Sequence, residues 1–301
     1  MKFKSLIISF FFLGLLFQNV SAQEKSISLP GPVGQVIEGR DMNSQIMSKP
    51  VSYAIYLPPD YETSQRRYPV VYLLHGLSDD ASGWVQFGEV QLAADRAIAA
   101  REIPPMIIVM PDGGVSWYIN NVEGTVLWED MFIQEFIPFI DKTYRTRPTK
   151  EFRGISGLSM GGYGSLIHSL KHPDLFVACA AFSAAIRTDE EFSSLISSKS
   201  DMFAKLFGQT KDKTILTEHY RKNSVMDYVK NLPKEQIEKV RFYIDCGDDD
   251  FLYKGNAALH VMMRDRGINH EFRVRDGAHN WTYWRTGITD GLKFIGESFH
   301  R

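Results

Sequence analysis

Cysteine is nearly absent: Cys179 and Cys246 are the only two among 301 residues. So thin a supply excludes a disulfide-stapled scaffold and a cysteine-built metal cluster. Both sit in apolar, strand-like runs, where a thiol packs as a small buried hydrophobe, and both are expected to be free. An excess of one charge is missing too. The 34 Lys and Arg against 36 Asp and Glu leave a net charge of −2, which offers no electrostatic footprint for nucleic acid or an anionic membrane. Beyond residue 22 no apolar run is long enough to span a bilayer, so no stable membrane association is expected. Internal repeats, low-complexity tracts and Pro/Ser-rich linkers are also missing. The fold must therefore rest on one packed core, which a 44% hydrophobic, 13% aromatic composition can supply.

The first 22 residues differ in kind. Lys2 and Lys4 precede an apolar stretch over residues 6–17, and Val20-Ser21-Ala22 offers a small-residue cleavage site. This pattern reads as a cleavable signal peptide. It implies a secreted or periplasmic protein whose residues 23–301 form a single domain. Within them, strand-like and helix-like segments alternate. Residues 51–57, 68–74, 106–110, 152–156, 177–182, 241–245 and 270–274 read as strands. Residues 90–100, 128–144, 163–170 and 254–266 read as helices. Alternation of this kind predicts an α/β fold, with a mostly parallel central sheet flanked by helices on both faces. Trp128, Phe132, Phe136 and Ile140 recur every fourth residue, a stripe expected to face the core. Residues 186–236 break the rhythm: they are polar and helix-prone, without a convincing strand. They form an insertion that either covers the carboxyl edge of the sheet or simply lengthens a crossover.

The chemistry starts at Gly157-Leu158-Ser159-Met160-Gly161, between a strand-like run and a helix-like one. A serine on so sharp a corner pushes its hydroxyl outward, and glycines two residues either side relieve the crowding. A hydroxyl is a poor nucleophile until a base takes its proton, and the base needs an orienting acid. Downstream strand ends supply both types: Asp248-Asp249-Asp250, then His279. His75-Gly76-Leu77 follows the first long apolar strand, where one oxyanion-binding amide is expected. The amides of Leu77 and Met160 are the candidates. His168 and His172 have the i, i+4 spacing of a helical metal pair, but no third ligand is evident.

With these segments in hand, a resemblance emerges. Leu73-Leu74-His75-Gly76, Pro111-Asp112-Gly113-Gly114 with Ser116-Trp117-Tyr118, the Ser159 pentapeptide, Asp245-Cys246-Gly247-Asp248-Asp249-Asp250 and Gly277-Ala278-His279 occur in order. The chain resembles the esterase D-like group, and more narrowly the feruloyl and acetylxylan esterases of carbohydrate esterase family 1. The resemblance implies an α/β-hydrolase fold that needs no cofactor and no metal. It implies Ser159 as nucleophile, His279 as base and Asp250 as acid, chosen from the aspartate triplet by its distance from Gly247. It further implies an ester substrate carrying a feruloyl or acetyl group on plant polysaccharide such as xylan. Trp117, Tyr118, Trp281 and Trp284 are then the expected substrate-binding aromatics, with Phe251 and Tyr253 nearby. Rival readings keep the same three residues: a generalist short-chain esterase, an acyltransferase, or an S-formylglutathione hydrolase-like thioesterase. No oligomeric state is implied.

Overall fold

The computed structural model describes residues 32–198, 201–210, 212 and 216–299; the expected signal peptide lies outside them. Eight strands form one sheet: β1 (Gln35–Ser44), β2 (Lys49–Leu57), β3 (Val70–Leu74), β4 (Ile107–Pro111), β5 (Arg153–Leu158), β6 (Ala178–Phe182), β7 (Arg241–Gly247) and β8 (Glu271–Arg275). Their order is β1-β2-β4-β3-β5-β6-β7-β8. β2 pairs antiparallel with β1 and β4, and every pair from β4 to β8 is parallel. This is the α/β-hydrolase fold.

The strand sequences explain why helices cover both faces. In β3, Val70, Tyr72 and Leu74 join one apolar cluster, while Val71 and Leu73 join a second. β4 divides the same way, with Ile107 and Val109 on one side and Ile108 and Met110 on the other. Successive side chains of a strand point to opposite faces, so an unbroken apolar run needs two cores. The first cluster takes residues from helices Met160–Lys171 and Tyr253–Asp265, the second from Val90–Ala99 and Trp281–Ser298. Cys179 and Cys246 are both free and buried.

The aromatic stripe does face the core, but not from a plain α-helix. Residues Phe132–Phe136 form a π turn between the α-helical stretches Trp128–Met131 and Ile137–Thr143. Strict spacing by four overshoots the 3.6-residue turn, and a wider turn keeps such a stripe aligned. Trp128 and Phe132 accordingly stack at 4.8 Å.

Two long elements lie beyond the sequence-based segments. β1 is an edge strand, and most of its positions are exposed or half-buried, so it lacks the apolar signature of its neighbours. Helix Trp281–Ser298 holds Gly287, Gly291 and Gly296, each a poor helix former. Packing demands them: a Cβ on Gly291 would lie 2.7 Å from the Phe182 ring, and one on Gly287 would lie 2.3 Å from the Arg275 guanidinium.

Between β6 and β7 the insertion forms the short helices Asp189–Ser198, Asp201–Phe207, Glu218–Arg221, Val225–Asn231 and Lys234–Ile237. Phe192, Phe203, Phe207 and Tyr220 pack as their own aromatic cluster, and Phe203 meets Trp117 at 5.2 Å. The insertion thus docks on the 117–122 loop, where Leu206 O also accepts from Val122 N at 2.9 Å.

Candidate active site

Ser159 sits between β5 and helix Met160–Lys171 with φ 53° and ψ −116°, a conformation costing an L-residue on the order of 1–3 kcal/mol. Its surroundings impose that corner. A Cβ on Gly157 would fall 2.5 Å from Gly161 O, and one on Gly161 would fall 2.4 Å from Leu74 O. Ser159 N donates to Phe182 O at 2.9 Å, and its carbonyl accepts from Tyr163 N and Ala185 N at 3.0 and 2.9 Å. Backbone contacts alone therefore pin the serine at the carboxyl edge.

His279 reaches this serine from the loop after β8. Its Nε2 lies 2.9 Å from Ser159 Oγ, and its Nδ1 lies 2.9 and 3.1 Å from the two oxygens of Asp250. An ionised carboxylate only accepts, so Nδ1 carries the proton and Nε2 is left to accept from the hydroxyl. Burial by itself would raise the Asp250 carboxyl. Hydrogen bonds from His279, the Leu252 amide and the Ser183 hydroxyl outweigh burial and hold it below the usual carboxylate range. The other two aspartates turn away. Asp248 Oδ1 accepts from Gly277 N at 2.9 Å and Asp249 N at 3.1 Å, and Asp249 is exposed.

The strand-end loop at His75 is set by a tautomer. Gly113 N donates to His75 Nε2 at 2.8 Å, so Nδ1 carries the hydrogen and donates to Gly76 O at 2.7 Å. In a planar trans peptide the N–H points opposite the C=O. Tying back Gly76 O therefore aims the Leu77 amide to the other side of the chain. A Cβ on Gly76 would lie 3.6 Å from Ser159 Cβ, so this peptide borders the serine. Met160, the other expected amide, opens the helix that follows Ser159.

Three of the four expected substrate-binding aromatics are buried in the structure. Trp117 and Trp284 are each 5% exposed and Tyr118 is fully buried. Their proximity to catalytic loops in the sequence reflects support of those loops. Tyr118 Oη donates to His75 O at 2.8 Å, Trp284 Nε1 donates to Ser183 Oγ at 2.9 Å, and Trp117 packs on Tyr163 at 5.6 Å. Trp281 is half-buried, beside Phe87 at 5.7 Å. Phe251 is exposed, tilted over the His279 ring at 4.5 Å.

A buried ionic network beneath these loops joins Asp245, which opens one of the resemblance segments, to Arg275, which lies in none. Asp245, fully buried in β7, accepts from Arg275 Nε at 2.8 Å and Nη2 at 3.1 Å, and from Tyr243 Oη at 3.0 Å; Tyr283 Oη donates to it as well. Arg275 ends β8, four residues before His279, and Asp245 lies five before Asp250. The strands meet so closely that a Cβ on Gly247 would fall 2.0 Å from Gly277 O. A charged residue inside an apolar strand was the available sequence signal.

His168 and His172, for which the sequence offered no third ligand, gain a carboxylate neighbour in Glu129. Lys171 Nζ donates to Glu129 at 2.6 Å, and His172 Nε2 lies 3.0 Å from its other oxygen. Burial opposes ionisation of Glu129, but His172, His168 and Lys171 bring it down to about 2. Burial pushes His168 down to about 3. The lysine ammonium occupies the carboxylate, so the cluster reads as a structural ion pair rather than a metal centre.

A cavity of about 440 Å³ opens between helix Asp201–Phe207 and the 112–116 loop, lined by Lys49, Val115, Lys205 and Leu206 among others. Ser159, Asp250 and His279 do not line it. No helix among the described residues is long and apolar enough to cross a membrane.

Comparison with known families resolves the lineage. The family model "Esterase" matches residues 44–295. The chain belongs to the esterase family. Among solved structures, this esterase-family chain is similar to one titled a ferulic acid esterase. The two share 31% identity and a TM-score of 0.77, over 89% of this chain and 100% of that one. It is 34% identical over 144 residues to an endo-1,4-beta-xylanase/feruloyl esterase of Xylanibacter ruminicola, covering 46% of this chain and 20% of the relative. It is 38% identical over 141 residues to Esterase Rv1288 of Mycobacterium tuberculosis, covering 45% of this chain and 30% of that relative. The matched stretch thus spans under a third of either curated relative's length.

Proposed function

We propose that this chain is a serine carboxylic-ester hydrolase working through an acyl-enzyme. The observation that carries the reading is the unbroken run from Ser159 Oγ through the His279 ring to buried Asp250, each step 2.9 Å. Ser159 attacks the ester carbonyl while His279 takes its proton. Asp250 holds the imidazole in the accepting tautomer and stabilises the imidazolium that forms. The amides of Leu77 and Met160 receive the oxyanion, the larger electrostatic contribution in chemistry of this type. His279 then protonates the departing alcohol, and water hydrolyses the acyl-enzyme by the reverse sequence.

The acyl group is feruloyl or acetyl and the alcohol belongs to a plant polysaccharide such as xylan. The feruloyl group and the xylan follow from similarity to the ferulic acid esterase and the xylanase/feruloyl esterase, and the acetyl group from the resemblance to acetylxylan esterases. The basic, apolar, small-residue pattern of residues 1–22 supports export to the periplasm or beyond. Substitution Ser159→Ala is expected to lower p-nitrophenyl acetate turnover by about 10⁵-fold or more and to abolish fluorophosphonate labelling, with an unchanged circular-dichroism spectrum. Retained turnover in a clean preparation overturns the assignment. Rates on methyl ferulate, acetylated xylan and tributyrin then rank the acyl groups, and a strong preference for tributyrin favours a generalist esterase instead.

A further inference from the structure

The direction of proton delivery fixes where the alcohol half of the substrate must lie. His279 Nε2 hands its proton to the leaving oxygen, so that oxygen sits within about 3 Å of the imidazole. Whatever the alcohol carries then extends along the flank of His279. That flank is a ladder of rings. Phe251 tilts over the imidazole at 4.5 Å, the Trp284 edge meets it at 4.8 Å, Trp281 follows at 5.4 Å, and Phe87 closes the ladder at 5.7 Å. Trp284 is buried, but the ends face solvent: Phe251 is 64% exposed and Phe87 is 49% exposed. Phe251 is thus a phenyl face left in water beside the reacting centre, a surface awaiting a partner.

The neighbouring charges restrict that partner. Asp248, Asp249 and Asp276 are exposed, and their carboxylate oxygens lie within 4.8 Å of one another. Asp249 lies two residues before Phe251 in one loop, and Asp276 lies three residues before His279 in the other. Carboxylates accept hydrogen bonds from hydroxyl groups and repel another acid. A ring face for C–H groups, edged by acceptors for hydroxyls, matches a neutral sugar. It fits neither a uronic acid nor a purely alkyl alcohol.

We propose that Phe251, exposed beside the imidazole, forms a leaving-group subsite for a neutral sugar ring of the alcohol. This rests on the Ser159–His279 reading above. Phe251 sets specificity by contacting the sugar, and the acyl group lies on the opposite side of the scissile bond.

The test compares methyl ferulate with a feruloylated neutral arabinoxylan oligosaccharide, using wild type, Phe251→Ala and Phe251→Trp. Wild type is expected to favour the sugar ester in kcat/KM. Phe251→Ala lowers the ratio of sugar ester to methyl ester about tenfold, the scale of one aromatic contact, chiefly through KM. Phe251→Trp restores the ratio. The feruloyl-free oligosaccharide competitively inhibits wild type and loses that effect in Phe251→Ala. A ratio unmoved by Phe251→Ala, or equal losses on both esters, overturns the subsite by assigning Phe251 to packing against His279. A wild-type preference for an alkyl ester overturns it as well. Fluorophosphonate labelling of Ser159 keeps the two levels apart: labelling with an unmoved ratio sinks only the subsite, whereas absent labelling sinks the esterase reading.

Discussion

On the nucleophile side of the site, position is set by backbone and glycine. Ser159 is held by main-chain hydrogen bonds to β6 and the chain that follows it, and Gly157 and Gly161 leave no room for any other corner. On the acid–base side, position is set by buried charge. Asp245 and Arg275 clamp β7 to β8, and Asp250 is held by three hydrogen-bond donors. The two halves meet at a single hydrogen bond, Ser159 Oγ to His279 Nε2. The difference has a practical meaning: one half fails when atoms are added, the other when charge is removed.

The sharpest break of that contrast targets charge at the acid itself. Asp250→Asn keeps the shape but presents the wrong donor to Nδ1, and kcat is expected to fall by about 10⁴-fold. Asp249→Asn, three bonds along the same loop but facing solvent, should change kcat less than about twofold. Steady-state kinetics on p-nitrophenyl acetate reads both, and equal losses would return the acid's register to open competition. Next comes the clamp. Asp245→Asn leaves the Arg275 guanidinium without its counter-charge, with a loss of about 3 kcal/mol, the low end for a broken buried pair because Arg275 is partly exposed. Urea unfolding measures this, and a loss under about 1 kcal/mol would mean the clamp is not charge-based.

A smaller effect lies at the far end of the nucleophile's own helix. Burial depresses His168 from 6.5 to about 3, so the folded protein keeps it neutral while the unfolded chain protonates below 6.5. Stability tied to this neutrality is complete above pH 6.5 and drains away as pH falls toward 3. By pH 5 the loss amounts to about 2 kcal/mol. His168→Leu should flatten this decline between pH 6.5 and 5. An unchanged slope in pH-dependent urea titrations would place the acid sensitivity elsewhere.

The contrast also explains what could be read from the sequence. The parallel strands were legible because burial on both faces leaves an unbroken apolar run, as in 70–74 and 107–111. The serine corner was legible because glycine is the residue that steric exclusion selects. Charge networks leave no such trace. Asp245 and Arg275 are thirty residues apart, and nothing in their spacing announces a bidentate pair. β1 was hidden by its exposed edge, and helix Trp281–Ser298 by glycines that packing against Phe182 and Arg275 requires. Adjacency in the chain does not fix the direction of an aromatic side chain. Trp117 and Tyr118, with φ of 55° and 61°, turn inward beneath the loop they follow.

β8 is the edge strand opposite β1, five residues long and mostly half-exposed, bonded to the sheet along one side only. Outer strands fray before the centre melts. The imidazole hangs from this margin while the serine is anchored well inside it. On warming, the proton acceptor should therefore drift from its partner while the sheet still stands, and catalysis should vanish several degrees before the protein unfolds.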